Sequence, residues 1–132
     1  RHSQSQKPIK KITCAEDVFN LYHERLKDEK QENFIILMLN AQNNIIGEQL
    51  ICKGGLDLVN FHPREVFRPA IKTSASKIIL VHNHPSGEAT PSEGDLNITR
   101  KLVDVGKGLG IGVIDHIIIG KQNWIAIAEK KK

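Results

Sequence analysis

The amino-acid sequence predicts a single α/β domain in which helices cover both faces of one mixed β-sheet. The chain of 132 residues is long enough for one hydrophobic core and too short for two. Short apolar runs are interspersed with segments of helical periodicity, in the order helix, two strands, helix, strand, helix, two strands. A content of 39% hydrophobic and 26% charged residues is typical of a globular protein and argues against a disordered or fibrous chain.

The first part of the chain predicts one helix and a β-hairpin. Thr13 and Glu16 have the spacing of a capping box, and apolar residues then recur at helical intervals, which predicts a helix from about 14 to 28. ENFIILMLN at 32–40 is rich in β-formers, AQNN is typical of a turn, and IIGEQLIC at 45–52 is again extended. We expect a hairpin whose first strand is buried on both faces.

A second helix and a buried strand follow. HPREVFRPAIKTSA at 62–75 predicts a helix with Pro63 at its first position. Pro69 has no amide donor, so we expect a kink or a break there. KIILVHN at 77–83 then predicts a buried strand.

The last third predicts another helix and two more strands. Ser92 can cap a helix that continues to about Gly108, where glycines stop it. IGVIDHIIIG at 111–120 and NWIAIAEK at 123–130 have the character of strands joined by a hairpin turn. Trp124 is expected to anchor the core or an edge strand.

The two ends are expected to lie outside the folded unit. We predict a flexible N-terminal tail or tag remnant at 1–10, the domain at 11–129, and a basic tail at 130–132. The basic ends contribute to a net charge of +4, which favours solubilising tails or weak attraction to polyanions. No apolar run approaches the ~20 residues that span a bilayer, so we expect a cytoplasmic chain with no membrane partner.

The stretch HNHPSGEATPSEGD at 82–95 combines two histidines, a turn-rich loop and an aspartate. Because side chains alternate along a strand, His82 and His84 at a strand end point to the same side. The loop is long enough to return Asp95, in the first turn of the next helix, to both imidazoles. Two imidazoles and one carboxylate can form a zinc site whose fourth position is left to water. The spacing alone fits equally a polar loop in which Ser92 and Asp95 cap the helix.

This stretch carries a resemblance to a known family. H-x-H-P, six further residues and S-x-x-D resemble the JAMM motif of the JAB/MPN metalloprotease superfamily. HPREVF at 62–67, HNHPSG, and DHIIIG at 115–120 are similar to the bacterial RadC branch. The resemblance extends over residues 32–129 and implies a three-layer JAB/MPN-type fold, of the cytidine-deaminase-like kind, with a mixed sheet flanked by helices.

The resemblance also implies a role for each site residue. His82, His84 and Asp95 are expected to bind Zn²⁺. Glu32 is expected to act as general base and acid, and the Ser92 hydroxyl is expected to donate a hydrogen bond to the oxyanion of the tetrahedral intermediate.

The assignment of the glutamate leaves alternatives open. The family pattern is glutamate, two residues, glycine, one residue and leucine, and this chain has Ile35 where the glycine is usual. Glu48 in the neighbouring strand and Glu65 in the second predicted helix are competitors. We favour Glu32 because its strand is expected to be central, beside the strand that ends at His82.

The implied function is zinc-dependent hydrolysis of peptide or isopeptide bonds. The alternative is a DNA-repair-associated, RadC-like binding module that acts on or near nucleic acid without peptidase activity. Basic ends without interleaved aromatic residues support nucleic-acid binding only weakly. A scaffold that serves in assembly is a third reading.

Nucleobase deaminases are excluded because they use H-x-E followed by P-C-x-x-C, and this chain has His84 at the glutamate position and no cysteine pair. We expect Cys14 and Cys52 to be reduced and buried. For His116, a hydrogen-bonded core histidine is favoured over a further metal ligand. His62 is expected at the cap of the second helix.

Overall fold

The computed structural model describes residues 10–54 and 62–130. Along the chain they form four helices and five strands: α1 (Ala15–Leu26), β1 (Asn33–Leu39), β2 (Ile45–Lys53), α2 (Pro63–Lys72), β3 (Lys77–Asn83), α3 (Glu93–Leu109), β4 (Gly112–Ile119), β5 (Trp124–Ala126) and α4 (Ile127–Lys130).

The five strands form one mixed sheet in the order β2-β1-β3-β4-β5. β1 is antiparallel to both of its neighbours, β2 and β3. β3 and β4 are parallel, with α3 as the connection between them, and β4 and β5 form an antiparallel hairpin. The predicted α/β class with a mixed sheet is therefore confirmed.

Helices cover both faces of this sheet, which gives the three layers. α1 packs on one face, over a core that includes Tyr22, Ile35, Leu37, Val81 and Ile117. α2 and α3 pack on the other, over a core that includes Phe34, Ile36, Phe67, Leu80 and Leu102. All seven residues of β1 are buried, as expected for a central strand that is apolar on both sides. Trp124 lies on the edge strand β5 and packs against the α1-side core, as predicted.

The beginning of α1 differs from the prediction. Cys14 is the N-cap residue, and Asp17 rather than Glu16 supplies the carboxylate. Asp17 Oδ2 accepts hydrogen bonds from the backbone nitrogen and the hydroxyl of Thr13, both at 2.8 Å. The capping interaction is thus shifted by one residue, because Thr13 lies outside the first turn.

Of the kink or break expected at Pro69, the break does not occur. α2 continues through Pro69 to Lys72, and its apolar face, with Phe67, is buried against the sheet and α3. The proline leaves the carbonyl of Glu65 without a helical donor, but Glu65 is exposed, so water can take that place. Thr73 donates from its backbone nitrogen to the carbonyl of Pro69 and closes the last turn.

The last predicted strand is shorter than expected, because residues 127–130 are helical. Asp115 Oδ1 accepts a hydrogen bond from the backbone nitrogen of Ala128 at 2.9 Å, as a capping carboxylate does. Ile127 is buried against Ala89 and Ile118. This hydrogen bond and the burial of Ile127 stabilise the helical turn that follows β5.

Both cysteines are free, but Cys14 is exposed and Cys52 is only partly buried, so the expectation of burial is wrong for both. The predicted tails at 1–10 and 130–132 fall almost wholly outside the described residues, and the domain boundaries stay a prediction. Within residues 10–54 and 62–130, no helix is long and apolar enough to cross a membrane.

Candidate metal centre

The three predicted metal ligands converge at the end of β3. His82 is in β3, His84 follows the strand by one residue, and Asp95 lies in the first turn of α3. Nε2 of His82 lies 3.3 Å from Asp95 Oδ1, and Nε2 of His84 lies 3.0 Å from Asp95 Oδ2. One ligand atom from each residue lies within 4.8 Å of the others, an arrangement that could hold a metal ion.

The donor atoms fit a metal ion rather than a packed polar core. Nε2 of His82 is completely buried and, within the described part of the chain, has no hydrogen-bond partner of suitable geometry. A buried polar atom without a partner is unusual in a folded protein, and a bound cation would supply the partner. Two imidazole nitrogens with one carboxylate oxygen form a donor set suited to zinc and similar transition metals.

Both imidazoles present Nε2 to the site because their other nitrogens have partners. Nδ1 of His84 lies 2.9 Å from the carbonyl oxygen of Glu88. Nδ1 of His82 lies 2.7 Å from Nε2 of His116. Hydrogen bonds of this kind orient the metal-binding nitrogen of a histidine ligand.

The contacts between Asp95 and the two histidines shift the pKa values of Asp95 and His84 in opposite directions. Burial raises the pKa of Asp95, but its close contacts with the imidazoles of His82 and His84 outweigh burial and hold that pKa well below its usual value. The hydrogen bond that His84 donates to the Asp95 carboxylate raises the pKa of His84, burial opposes this shift, and the negative charge of Glu32 adds a smaller increase. The carboxylate of Asp95 is therefore ionised at neutral pH, as a metal ligand must be.

The capping box that the sequence offered as an alternative is also present, and it uses the same aspartate. The backbone nitrogen of Asp95 donates to Ser92 Oγ at 3.0 Å, and the backbone nitrogen of Ser92 donates to Asp95 Oδ2 at 2.8 Å. The cap holds the Asp95 carboxylate in position facing the histidines. Capping and metal binding are therefore compatible at this helix start.

Glu32 lies directly before β1, next to the strand of the two histidines. Phe34 pairs with His82, so the same antiparallel register continued by two residues places Glu32 opposite His84. Glu32 is partly buried, and its carbonyl accepts a hydrogen bond from the backbone nitrogen of Gly54 at 2.8 Å.

The two competing glutamates lie elsewhere. Glu48 accepts hydrogen bonds from Tyr22 and Arg25 of α1, so it belongs to the opposite face of the sheet. Glu65 is exposed on α2 and lies 3.8 Å from Arg64. Neither is held beside the two histidines.

His116 and Thr99 form a buried layer behind His82. The His116 ring is completely buried, and it lies 2.7 Å from His82 Nδ1 and 2.6 Å from the hydroxyl of Thr99. Burial lowers the pKa of His116 well below its usual value. The favoured prediction of a hydrogen-bonded core histidine is confirmed, whereas the part played by Thr99 was missed. Its position one helical turn after Asp95 was the available signal.

Asn83, between the two histidines, points to the other side, as alternation predicts. It was nevertheless missed as a site residue. Asn83 Oδ1 accepts from the backbone nitrogen of Asn33 at 2.7 Å, and Nδ2 donates to the carbonyl of Gln31 at 3.1 Å. The backbone on both sides of Glu32 is therefore held by one side chain from β3.

Outside the site, His62 is the N-cap residue of α2, as predicted.

The chain is similar to several known proteins. A UPF0758 protein of Staphylococcus haemolyticus is 48% identical over 120 residues, which cover 91% of this chain and 53% of the relative. UPF0758 proteins of Syntrophotalea carbinolica and Methanosarcina mazei are 43% and 41% identical, over 94% and 95% of this chain and 55% of each relative. The chain spans about half the length of these curated relatives. The family model described as RadC-like JAB domain matches residues 12–132, and the chain belongs to this family.

Proposed function

We propose that this chain is a zinc-dependent metallohydrolase that cleaves an amide bond in a peptide or isopeptide substrate. His82, His84 and Asp95 hold the metal, Glu32 is the general base and acid, and Ser92 is the oxyanion donor. The observation that carries the proposal is the convergence of two imidazole nitrogens and one buried carboxylate. Among residues 10–54 and 62–130, His82 Nε2 has no hydrogen-bond partner of suitable geometry.

The exposure of the three ligands supports a site that substrate can reach. The side chains of His82 and Asp95 are 0% and 4% exposed, whereas that of His84 is 14% exposed. The site therefore opens to solvent on the His84 side, where Glu32 also lies. A closed structural site would leave no side for a reacting group.

The chemistry divides between the metal and the protein side chains. A zinc ion bound there would polarise the scissile carbonyl and lower the pKa of a bound water to about 7. The Glu32 carboxylate would accept the proton of that water and later deliver it to the leaving amine. The Ser92 hydroxyl accepts from Asp95 N, yet its own hydrogen can still be donated to a developing oxyanion.

The test compares metal content and turnover in matched variants. We expect about one zinc per wild-type chain and loss of zinc in His82→Ala and Asp95→Ala. Glu32→Gln should keep the metal and lose roughly 100-fold or more in hydrolysis of a peptide or isopeptide found by screening. Glu65→Gln is the matched control, since Glu65 is exposed on α2 and away from the site. Full zinc content in both ligand variants, or hydrolysis that Glu32→Gln leaves unchanged, would contradict the proposal.

A further inference from the structure

We propose that His116 and Thr99 are positioning residues for His82, which hold its imidazole in one orientation with Nε2 directed into the metal site. This inference rests on the metal site of the proposed function. It assigns neither residue a contact with substrate or metal.

The donor in each hydrogen bond between Asp95, Thr99 and His116 can be identified from the groups that form it. Thr99 Oγ1 lies 2.7 Å from the carbonyl oxygen of Asp95, which can only accept, so the single hydroxyl hydrogen is donated there. The same hydroxyl therefore accepts from Nδ1 of His116, at 2.6 Å. A neutral His116 that carries its hydrogen on Nδ1 has a lone pair on Nε2.

The lone pair on His116 Nε2 determines which ring nitrogen of His82 donates a hydrogen bond to it. Nε2 of His116 accepts from Nδ1 of His82 at 2.7 Å, which leaves the lone pair of a neutral His82 on Nε2. This is the nitrogen that lies 3.3 Å from Asp95 Oδ1 and has no hydrogen-bond partner of suitable geometry in the described part of the chain. The His116 ring is completely buried and lies nearly perpendicular to the Phe34 ring, with 5.8 Å between the ring centroids, so packing also fixes its orientation.

The hydrogen bonds also join the two metal ligands through the protein. They run from the side chain of His82 in β3, through His116 in β4 and Thr99 in α3, to the backbone of Asp95. Both ligands are thus held by one buried connection that crosses three elements. Partners of this kind typically change metal affinity by 10–100-fold when they are removed.

The test measures zinc affinity by competition with a chelating dye, together with the absorption spectrum of the cobalt-loaded protein. Thr99→Val keeps the shape of the side chain and removes the hydroxyl, so we expect zinc to bind roughly 10-fold more weakly. Thr99→Ser restores the hydroxyl and should restore the affinity. Thr73→Val is the matched control, because Thr73 also donates to a carbonyl one turn back, that of Pro69, outside the site.

A wild-type zinc affinity in Thr99→Val would overturn this inference and leave the proposed function standing. The same holds if Thr99→Ser binds zinc as weakly as Thr99→Val does. A wild-type chain that binds no zinc would overturn the proposed function as well. Nitrogen-15 NMR of the zinc-loaded wild type provides a check that needs no variant to fold. We expect His116 to carry its hydrogen on Nδ1, and a hydrogen on Nε2 would refute the chain of hydrogen bonds.

Discussion

Asn83 Oδ1 accepts a hydrogen bond from the backbone nitrogen of Asn33 at 2.7 Å, although Asn83 lies between the two histidines of the candidate metal site and points away from them. Its Nδ2 donates to the carbonyl of Gln31 at 3.1 Å. The residue that separates His82 from His84 therefore holds the backbone on both sides of Glu32. The histidine strand thus positions the proposed general base as well as the proposed ligands.

Asn83→Ala should loosen the Glu32 segment without removing the metal. The change leaves the buried backbone nitrogen of Asn33 without its partner, which should lower the free energy of unfolding by about 1–3 kcal/mol. Amide hydrogen exchange at residues 31–34 should quicken, and zinc content should stay at the wild-type level. Asn40→Ala is the control, since Asn40 Oδ1 accepts from backbone nitrogens in a turn far from the site. Unchanged exchange at residues 31–34 would contradict this role for Asn83.

Zinc should stabilise the folded chain by mass action. Free zinc at 100 times its Kd should raise the free energy of unfolding by about 2.7 kcal/mol, because the site exists only in the folded state. The rise in melting temperature should disappear in His82→Ala and with a chelator. It should persist in His62→Ala, which changes an exposed histidine at the α2 cap. Equal stabilisation of His82→Ala and wild type would show that zinc binds elsewhere.

Asp17→Asn should destabilise α1 in a pH-dependent manner. The hydrogen bonds from Thr13 lower the pKa of Asp17, so the folded pKa lies below the unfolded value of about 3.9. Its contribution, about 1 kcal/mol for a helix cap, is therefore present above pH 3.9 and lost as the pH falls through the folded pKa. Urea unfolding of both proteins over a pH series measures the difference. Glu16→Gln, at the position that the sequence favoured, should have little effect, and a larger effect than that of Asp17→Asn would reverse the assignment.

Gly120→Ala should disturb the loop that follows the histidines. A Cβ at Gly120 would collide with the carbonyl oxygen of Gly87 and the side chain of Asn123. Gly87 is tied to the site because its backbone nitrogen donates to the carbonyl of His84 at 2.9 Å. We expect a loss of roughly 1–3 kcal/mol in stability and weaker zinc binding.

Gly108→Ala is the matched control for that substitution. A Cβ at Gly108 meets no atom within 4 Å, and the residue lies in the last turn of α3. Alanine there should stabilise the protein by up to about 1 kcal/mol and leave zinc affinity unchanged. Equal zinc affinity in Gly120→Ala and Gly108→Ala would show that this contact has no part in the site.

The sequence by itself determined the strands and the spacing of the candidate ligands, because these depend on near neighbours. Alternation along β3 places His82 and His84 on one side, and the S-x-x-D spacing places Asp95 in the first turn of α3. The predicted cap of α1 was wrong because Asp17 rather than Glu16 supplies the carboxylate. No break occurs at Pro69, where burial of the apolar face of α2 outweighs the local preference of proline.

Only the tertiary structure decided which distant residues surround those ligands. The strand order places Glu32 opposite His84, whereas it places Glu48 on the face of α1. The side-chain hydrogen bonds of His116 and Asn83 join residues 17 to 52 positions apart. Such contacts depend on which strands are adjacent and on which helix covers them. Strand order and helix packing are set by the whole core, so a short stretch of sequence cannot predict them.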